Sequence, residues 1–312
     1  MTGSSKGRPY LYLTVSPVDS GDDEPLQKAL VEIASRDPLT SVIPQPMNGT
    51  LIVEGETESQ LDAICDRLRD EYKLSINVGA PTVILLETIR KSGEAEGRYI
   101  RQAGGSGNYG HCKLRIEPNL SGEGYSFISS VPGDVLPNEY VRSVDRGVRH
   151  AMRTGILRGF PLVDLKVTLI DGSYHAVDSN PKAFEIAGSI AFEHAARKAS
   201  PVLLEPVMLV EIDVPDALTA IVEPDIFQHR GRIDRMVSEN GRSEIKAIVP
   251  LAELLASGFS SLTEFPTEFA GYEAVSDDGA SDENGSGVTA NKPNYPPAGR
   301  RSEIARPEPE GE

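Results

Sequence analysis

The chain has 312 residues and a net charge of -16, with 47 acidic and 31 basic side chains. At roughly 150 residues per domain, this length predicts about two domains or three small ones. The two cysteines are too few for a disulfide-stapled secreted domain or a multi-cysteine zinc site. No apolar run approaches about 18 residues, and the N-terminus lacks the apolar core of a signal peptide, so we expect a reduced, cytoplasmic protein without a membrane span.

The acidic charge is unevenly distributed along the chain. Residues 95–200 carry 13 basic and 11 acidic side chains, whereas the segments before and after them are both acidic overall. Charge alone therefore favours residues 95–200 as the part that would meet a polyanion. The small net positive charge of this segment does not by itself identify an RNA binder.

The first part of the chain predicts a ferredoxin-like domain over residues 9–80, after a flexible N-terminus at residues 1–8. Apolar periodicity and β-rich runs predict the order β-α-β-β-α-β, which is the split βαβ arrangement. We expect strands near residues 10–18, 42–43, 50–54 and 74–78, helices over 25–35 and 58–72, and a turn at Asn48–Gly49.

A middle α/β domain is predicted over residues 81–203. One helix is expected from Asn138, its N-cap, to Thr154, where Gly155 stops it. A second helix should begin at Pro181 with Asn180 as N-cap, and end in a basic last turn. The expected strands lie near residues 83–90, 98–102, 111–117, 125–131 and 162–170.

Residues 204–275 repeat the first β-α-β-β-α-β order loosely, with a helix that we expect Pro224 to interrupt. The fold class is therefore α+β, with two ferredoxin-like split βαβ domains flanking the middle α/β domain. Residues 276–312 are rich in Gly, Ser, Pro and acidic side chains, which predicts a disordered acidic tail.

Several catalytic motifs are absent from the sequence, including the phosphate-binding loop G-x-x-x-x-G-K-[ST] and the metalloprotease motif H-E-x-x-H. Residues 105–110, GSGNYG, fit the dinucleotide motif G-x-G-x-x-G, but the following HCKLRIEP alternates like a strand. We therefore interpret them as part of a glycine-rich loop between two strands. Because His111 and Cys112 are adjacent in a strand, they should point to opposite faces, and Cys112 is expected in the core.

Two features of the middle domain could carry binding. Four arginines recur on one face of the first helix, which indicates either a solvated surface or a stripe that contacts phosphates: Arg142, Arg146, Arg149 and Arg153. A turn-rich loop, Asp171–His175, leaves a strand toward the second helix. This loop and the glycine-rich loop could together form one projecting tip.

Four strings of the middle and following parts resemble bacterial elongation factor G: RQAGGSGNYGHCKLRIEP, PNEYVRSVDRGVRHAM, GFPLVDLKVTLIDGSYHAVDSN and AFEHAARKASPVLLEPVM. The resemblance covers residues 9 to about 273 and corresponds to the third, fourth and fifth domains of that family. It includes no counterpart of the GTPase domain or of the barrel domain that follows it. The middle domain is thereby similar to the fourth domain of the family.

The resemblance implies that the middle domain mimics the anticodon arm of transfer RNA and enters the A site of the small ribosomal subunit. Two tip loops would then contact ribosomal RNA and the messenger–tRNA duplex by shape and charge, without catalysis, cofactor or metal. The residues implied are Gly104, Gly105, Ser106, Gly107, Asn108, Tyr109, Gly110 and His111 in the first loop, and Asp171, Gly172, Ser173, Tyr174, His175 and Asp178 in the second. The family usually has an arginine where this chain has Ser106.

These observations favour an elongation factor G-like protein without a GTPase domain, which binds the ribosome through its middle domain and modulates translocation or ribosome disassembly. Two alternatives remain open. The chain could be one half of a split GTPase that acts with a separate GTPase chain. It could also be an acidic protein-binding module that no longer works on the ribosome.

Overall fold

A computed structural model describes residues 9–37, 39–44, 50–103, 106–256 and 265–275. The predicted flexible N-terminus, the Asn48–Gly49 turn and the acidic tail at 276–312 lie outside the described residues. The described chain forms two compact units, one of residues 13–80 and one of residues 9–12 with 81–275.

The unit of residues 13–80 has the predicted split βαβ order. Its elements are the part of β1 (Leu11–Pro17) from residue 13 onward, α1 (Asp23–Arg36), β2 (Ser41–Pro44), β3 (Leu51–Gly55), α2 (Glu58–Asp70) and β4 (Ile76–Val78). The strand order is β2-β3-β1-β4. Helix α2 begins where Thr57 accepts a hydrogen bond from the backbone N–H of Gln60, which satisfies one of the free donors of the first turn.

The larger unit begins with a four-stranded sheet and two helices that cover one of its faces. Its first elements are β5 (Thr82–Val83), β6 (Leu86–Ile89), β7 (Gly93–Ala103), β8 (Ser106–Pro118), β9 (Tyr125–Ser129), α3 (Asn138–Thr154), β10 (Leu165–Ser173) and α4 (Pro181–Lys198). The sheet order is β7-β8-β10-β9, with β9 and β10 parallel and the other pairs antiparallel. The single strand predicted over residues 83–90 is instead two short strands.

Both helices have the bounds that the sequence predicts, but their N-termini differ. At α4, Asn180 accepts a hydrogen bond of 3.0 Å from the N–H of Ala183, so the predicted cap is confirmed. At α3, the prediction of Asn138 as N-cap was wrong, because Asn138 is already helical and Pro137 precedes it without a side-chain cap. Gly155 ends α3 with a φ of 70°, a left-handed value that glycine adopts without steric cost.

Glycines let the backbones of this layer approach closely. A Cβ atom at Gly97 of β7 would lie 2.0 Å from the carbonyl oxygen of Ala187 in α4. A Cβ atom at Gly147 of α3 would lie 2.0 Å from the carbonyl oxygen of Glu185. Helix α4 therefore packs against both the sheet and α3 through main-chain contacts that leave no room for a side chain.

The remainder of the larger unit repeats the first strand order. Its elements are β11 (Pro201–Pro215), α5 (Thr219–Gln228), β12 (Arg232–Glu239), β13 (Arg242–Pro250), α6 (Leu251–Ala256) and β14 (Thr267–Ala274). The sheet order is β12-β13-β11-β14, which confirms a second ferredoxin-like arrangement. The predicted interruption at Pro224 was wrong: Pro224 lies inside α5 and is exposed.

Strand β6 joins the two parts of the larger unit. It pairs with β11 from Leu86↔Leu204 to Ile89↔Pro201, and so extends the second sheet. Within β6, Glu87 is fully buried, and its carboxylate accepts hydrogen bonds of 2.5 to 3.1 Å from the five consecutive N–H groups of residues 156–160, just after α3. One carboxylate therefore fixes the end of α3 to the strand that borders the second sheet.

Both cysteines are buried, which confirms the expectation that Cys112 lies in the core. Burial raises the pKa of the Cys112 thiol to about 12 and also raises the pKa of Cys65. The thiolate is the reactive form, so both thiols should be unreactive at pH 8 in the folded chain. We expect Ellman's reagent to label the native protein slowly and the guanidinium-unfolded protein completely, and rapid native labelling of either cysteine would contradict this packing.

Candidate functional site

One end of the first sheet brings together the two segments that the sequence assigned to a projecting tip. The hydroxyl groups of Tyr109, near the start of β8, and Ser173, at the end of β10, lie 2.8 Å apart. The same Ser173 hydroxyl lies 2.8 Å from Nδ1 of His111, which pairs directly with Ser173 across the sheet. We call this end of the sheet, with the segment 174–180 that follows β10, the tip.

A second set of contacts fixes segment 174–180 against β8. The N–H of Tyr109 donates to the carbonyl oxygen of Asp178 at 2.8 Å, and the N–H of Gly107 donates to its carboxylate at 3.2 Å. A Cβ atom at Gly107 would lie 2.5 Å from that carboxylate. A side chain at position 107 would displace this carboxylate, so glycine is needed there for the contact with Asp178. The glycines lie in a strand pair, without the following helix that a dinucleotide site requires.

The described bounds differ from the predicted loops. Residues 106–111 belong to β8 and Asp171, Gly172 and Ser173 belong to β10, because cross-strand pairing continues farther than the turn-forming residues indicate. Gly104 and Gly105 lie outside the described residues, and so does the side chain of Ser106. Gly110 and Gly172 are buried, and a Cβ atom at Gly110 would lie 2.4 Å from the carbonyl oxygen of Ala183.

Aromatic rings support the tip and leave part of it exposed. The ring of His175 lies 4.3 Å from that of Tyr109, measured between centroids. Tyr140 of α3 donates to the carbonyl oxygen of Ser179 at 3.2 Å and so holds the segment from the helix side. Tyr174 is 40% exposed and Val177 is 91% exposed, so the segment presents aromatic and apolar surface to solvent.

Charges beside the tip are paired, which the sequence did not indicate. Glu96 contacts Nε2 of His111 and accepts a hydrogen bond of 2.6 Å from Arg98. Arg98 and, less strongly, His111 lower the pKa of Glu96, so this carboxylate stays ionised. Cross-strand pairing, which places Arg98 opposite His111, could have suggested this cluster once the β7–β8 register was known.

The four arginines of α3 lie on one exposed face, as predicted, opposite the buried face of the helix. Successive members are three or four residues apart, which at about 100° per residue places all four within roughly 60° around the helix axis. The stripe begins in the second turn of α3, just beyond Tyr140 and the tip, and ends at Arg153 in the last turn.

Three other kinds of feature bear on function: a metal site, a membrane-spanning helix and a cavity that could bind a ligand. Among residues 9–256 and 265–275, apart from the gaps stated above, no group of three or more His, Cys, Asp or Glu side chains could hold a metal ion. No helix in this described part is long and apolar enough to cross a membrane. A polar cavity of about 200 Å³ lies beside β11 and β12, but its cations are already paired: Arg230 donates to both oxygens of Glu205, and Arg232 to both oxygens of Glu273.

Three family models match consecutive parts of the chain. Elongation factor G, domain III, matches residues 7–80; elongation factor G, domain IV, matches residues 81–200; and the elongation factor G C-terminus matches residues 202–282. The chain belongs to the elongation factor G family. Both segments of the tip, and the arginine stripe of α3, fall within the match to domain IV.

The chain is also similar to a solved structure. The chain is similar to the crystal structure of ttk003000868 from Thermus thermophilus, with 35% sequence identity and a TM-score of 0.64. The similarity covers 86% of this chain and 41% of the Thermus chain, so this chain spans less than half of that relative. The family models that match this chain are those of a translation elongation factor.

Proposed function

We propose that this elongation factor G-like chain is a cytoplasmic translation protein that binds the ribosome at the A site through the tip of its domain IV region. In that role it modulates translocation or ribosome disassembly by shape and charge, and it does not itself hydrolyse GTP. The observation that carries the proposal is the tip, where Tyr109 of β8 contacts Ser173 at the end of β10 and Asp178 of segment 174–180. This arrangement leaves Tyr174 and Val177 exposed.

The exposed groups of the tip suit unpaired or distorted RNA. Aromatic and histidine rings stack on bases, and each such stack contributes about 1–3 kcal/mol. Tyr174 and His175 are both exposed, while hydrogen bonds between the His175 backbone and Ser179 hold the segment in place. A held segment loses less conformational entropy on binding than a free loop, which favours affinity.

Cosedimentation with purified ribosomes tests the proposal. We expect the unaltered full chain to pellet with ribosomes at low salt, and the double variant Tyr174→Ala/His175→Ala to bind at least about tenfold more weakly, because it removes two stacking groups. A matched control is Leu120→Ala/His194→Ala, which also removes one large side chain and one histidine from exposed positions. Leu120 is 72% exposed and follows β8 at the strand end opposite the tip.

The outcomes separate the proposal from its alternatives. No cosedimentation at low salt, or equal weakening by the control, would contradict a tip-mediated ribosome contact. Cosedimentation that appears only when a GTPase chain is added would favour a split factor. Capture of basic proteins that persists after ribosomes are removed would favour an acidic protein-binding module.

A further inference from the structure

The arginine stripe of α3 contains two kinds of side chain. Arg149 is held in the structure: its Nε donates to Asp145 at 3.0 Å, and its guanidinium lies 4.5 Å from the centroid of the Tyr125 ring. The Tyr125 hydroxyl in turn donates to Asp145 at 2.6 Å. Arg149 therefore belongs to a cluster that joins α3 to β9, and its charge is already compensated.

The other three arginines carry uncompensated charge. Within the part of the chain that the structure describes, Arg142, Arg146 and Arg153 form no ion pair with a carboxylate. The only hydrogen bond that Arg146 makes there is to the neutral Ser143 hydroxyl, at 2.7 Å. All three side chains belong to exposed residues.

The charges on the face of the β7-β8-β10-β9 sheet that lies opposite α3 and α4 are paired, unlike those of the three arginines. There the basic side chains of β7, β8 and β10 face carboxylates: Arg98 pairs with Glu96, Arg115 with Glu94 and Lys166 with Glu117. Paired surface charges present little net field to a partner. In a chain with a net charge of -16, three unpaired arginines aligned on one helix face are therefore a distinct local source of positive potential.

The position of these three arginines relative to the tip is also specific. Helix α3 starts beside the tip, where Tyr140 bonds to Ser179. From Arg142 to Arg153 the stripe then runs for about 16 Å along the helix, at 1.5 Å per residue. A polyanion bound at the tip could thus continue along α3.

We propose that Arg142, Arg146 and Arg153 form a second contact, separate from the tip, that binds the phosphate backbone of RNA without reading its sequence. The inference rests on the proposed function for its partner, the RNA of the ribosome. A row of exposed guanidinium groups is the donor set that phosphates take, since each guanidinium can make two parallel hydrogen bonds to phosphate oxygens. The tip then supplies shape and stacking, and the stripe supplies charge.

The salt dependence of binding tests this assignment. Each phosphate contact contributes about 0.7–0.9 to the slope of log K against log salt concentration. The triple variant Arg142→Gln/Arg146→Gln/Arg153→Gln should lower the slope for ribosome binding by about 2, whereas Tyr174→Ala/His175→Ala should weaken binding with little change in slope. Lysine at the same three positions keeps the charges and should keep most of the slope.

A control with the same change in net charge is Arg36→Gln/Arg69→Gln/Arg197→Gln, which alters three exposed helical arginines that already face carboxylates. Its slope should match that of the unaltered chain. A second arm uses a 20-base-pair RNA duplex of arbitrary sequence at low salt. If the glutamine variant lowers the salt slope for duplex RNA but the unaltered chain does not bind ribosomes, the proposed function is refuted and the inference about the arginine stripe is supported.

Two results would overturn the inference. The first is a salt slope for the glutamine variant equal to that of the unaltered chain in both arms. The second is an equal loss of slope in the charge-matched control, which would make the effect one of net charge. Circular dichroism melts of each variant establish that it folds, which is expected because the three arginines are exposed.

Discussion

Replacing Glu87 by alanine is expected to lower the free energy of unfolding of the unit that contains residues 81–275 by about 3 kcal/mol or more. The fully buried carboxylate is the shared acceptor for five consecutive N–H groups, and alanine removes that acceptor from all five at once. Thermal unfolding of the full chain should show a midpoint lower by roughly 6–12 °C.

Two further variants make this expectation specific. Glu87→Gln keeps one acceptor oxygen but turns an amide donor toward backbone donors, so its loss should be intermediate. Glu193→Ala removes a solvent-facing glutamate whose pairing with Arg197 spans 3.9 Å, and it should change stability by less than about 0.5 kcal/mol. Equal midpoints for Glu87→Ala and Glu193→Ala would refute the role of Glu87 as an anchor.

Gly97→Ala is expected to destabilise the same unit by about 2–3 kcal/mol, even though alanine is usually better tolerated than glycine in a strand. The added Cβ would lie 2.0 Å from the carbonyl oxygen of Ala187 and 2.6 Å from the backbone nitrogen of Ala191. Because both are main-chain atoms of α4, the clash cannot be relieved by a rotamer change, and the helix must move away from the sheet. Denaturant unfolding of the full chain measures the effect.

The matched control for Gly97→Ala is Gly133→Ala, because no atom would lie within 4 Å of the added Cβ there. We expect that change to alter stability by less than about 0.5 kcal/mol. If Gly97→Ala were neutral or stabilising, the close contact between α4 and the sheet would be wrong. The tip depends on this contact, since α4 starts at Pro181 directly after segment 174–180.

Helices whose limits are encoded by adjacent residues could be predicted from the sequence. The bounds of α3 follow from the apolar spacing of Val144, Val148 and Ala151 and from the left-handed Gly155 that ends it. Helix α4 follows from the Asn180 cap and the proline at its first position. Such signals are local, so they act whatever the tertiary structure around them.

Features that depend on distant partners could not be predicted. Strand β8 reaches back to Ser106 because β7 offers a paired strand along its whole length, although the glycines there indicate a loop. The five donors that surround Glu87 come from residues about 70 positions away, and no local pattern marks them.

The candidate site was predictable only where local sequence signals mark it. Sequence and resemblance placed both tip segments in the middle domain, and the structure places them side by side. The seat of Asp178 on Gly107 and the pairing of Glu96 with His111 and Arg98 required the register of β7 and β8. The pairing of Arg149 with Asp145 is a local contact between residues four apart, whereas the Tyr125 ring that packs against Arg149 comes from a distant strand.

Directed hydroxyl-radical probing of the ribosome-bound chain tests most directly whether the tip contacts ribosomal RNA. A cysteine at Val177, which is 91% exposed, can carry an iron chelate, because the two native thiols are buried. We predict strand cleavage in small-subunit RNA from Val177→Cys and none there from the same label at Leu120→Cys, beyond the far end of the sheet. A complex that sediments intact yet shows equal cleavage from both positions, or cleavage from Leu120→Cys alone, would contradict the proposed orientation and with it the proposed function.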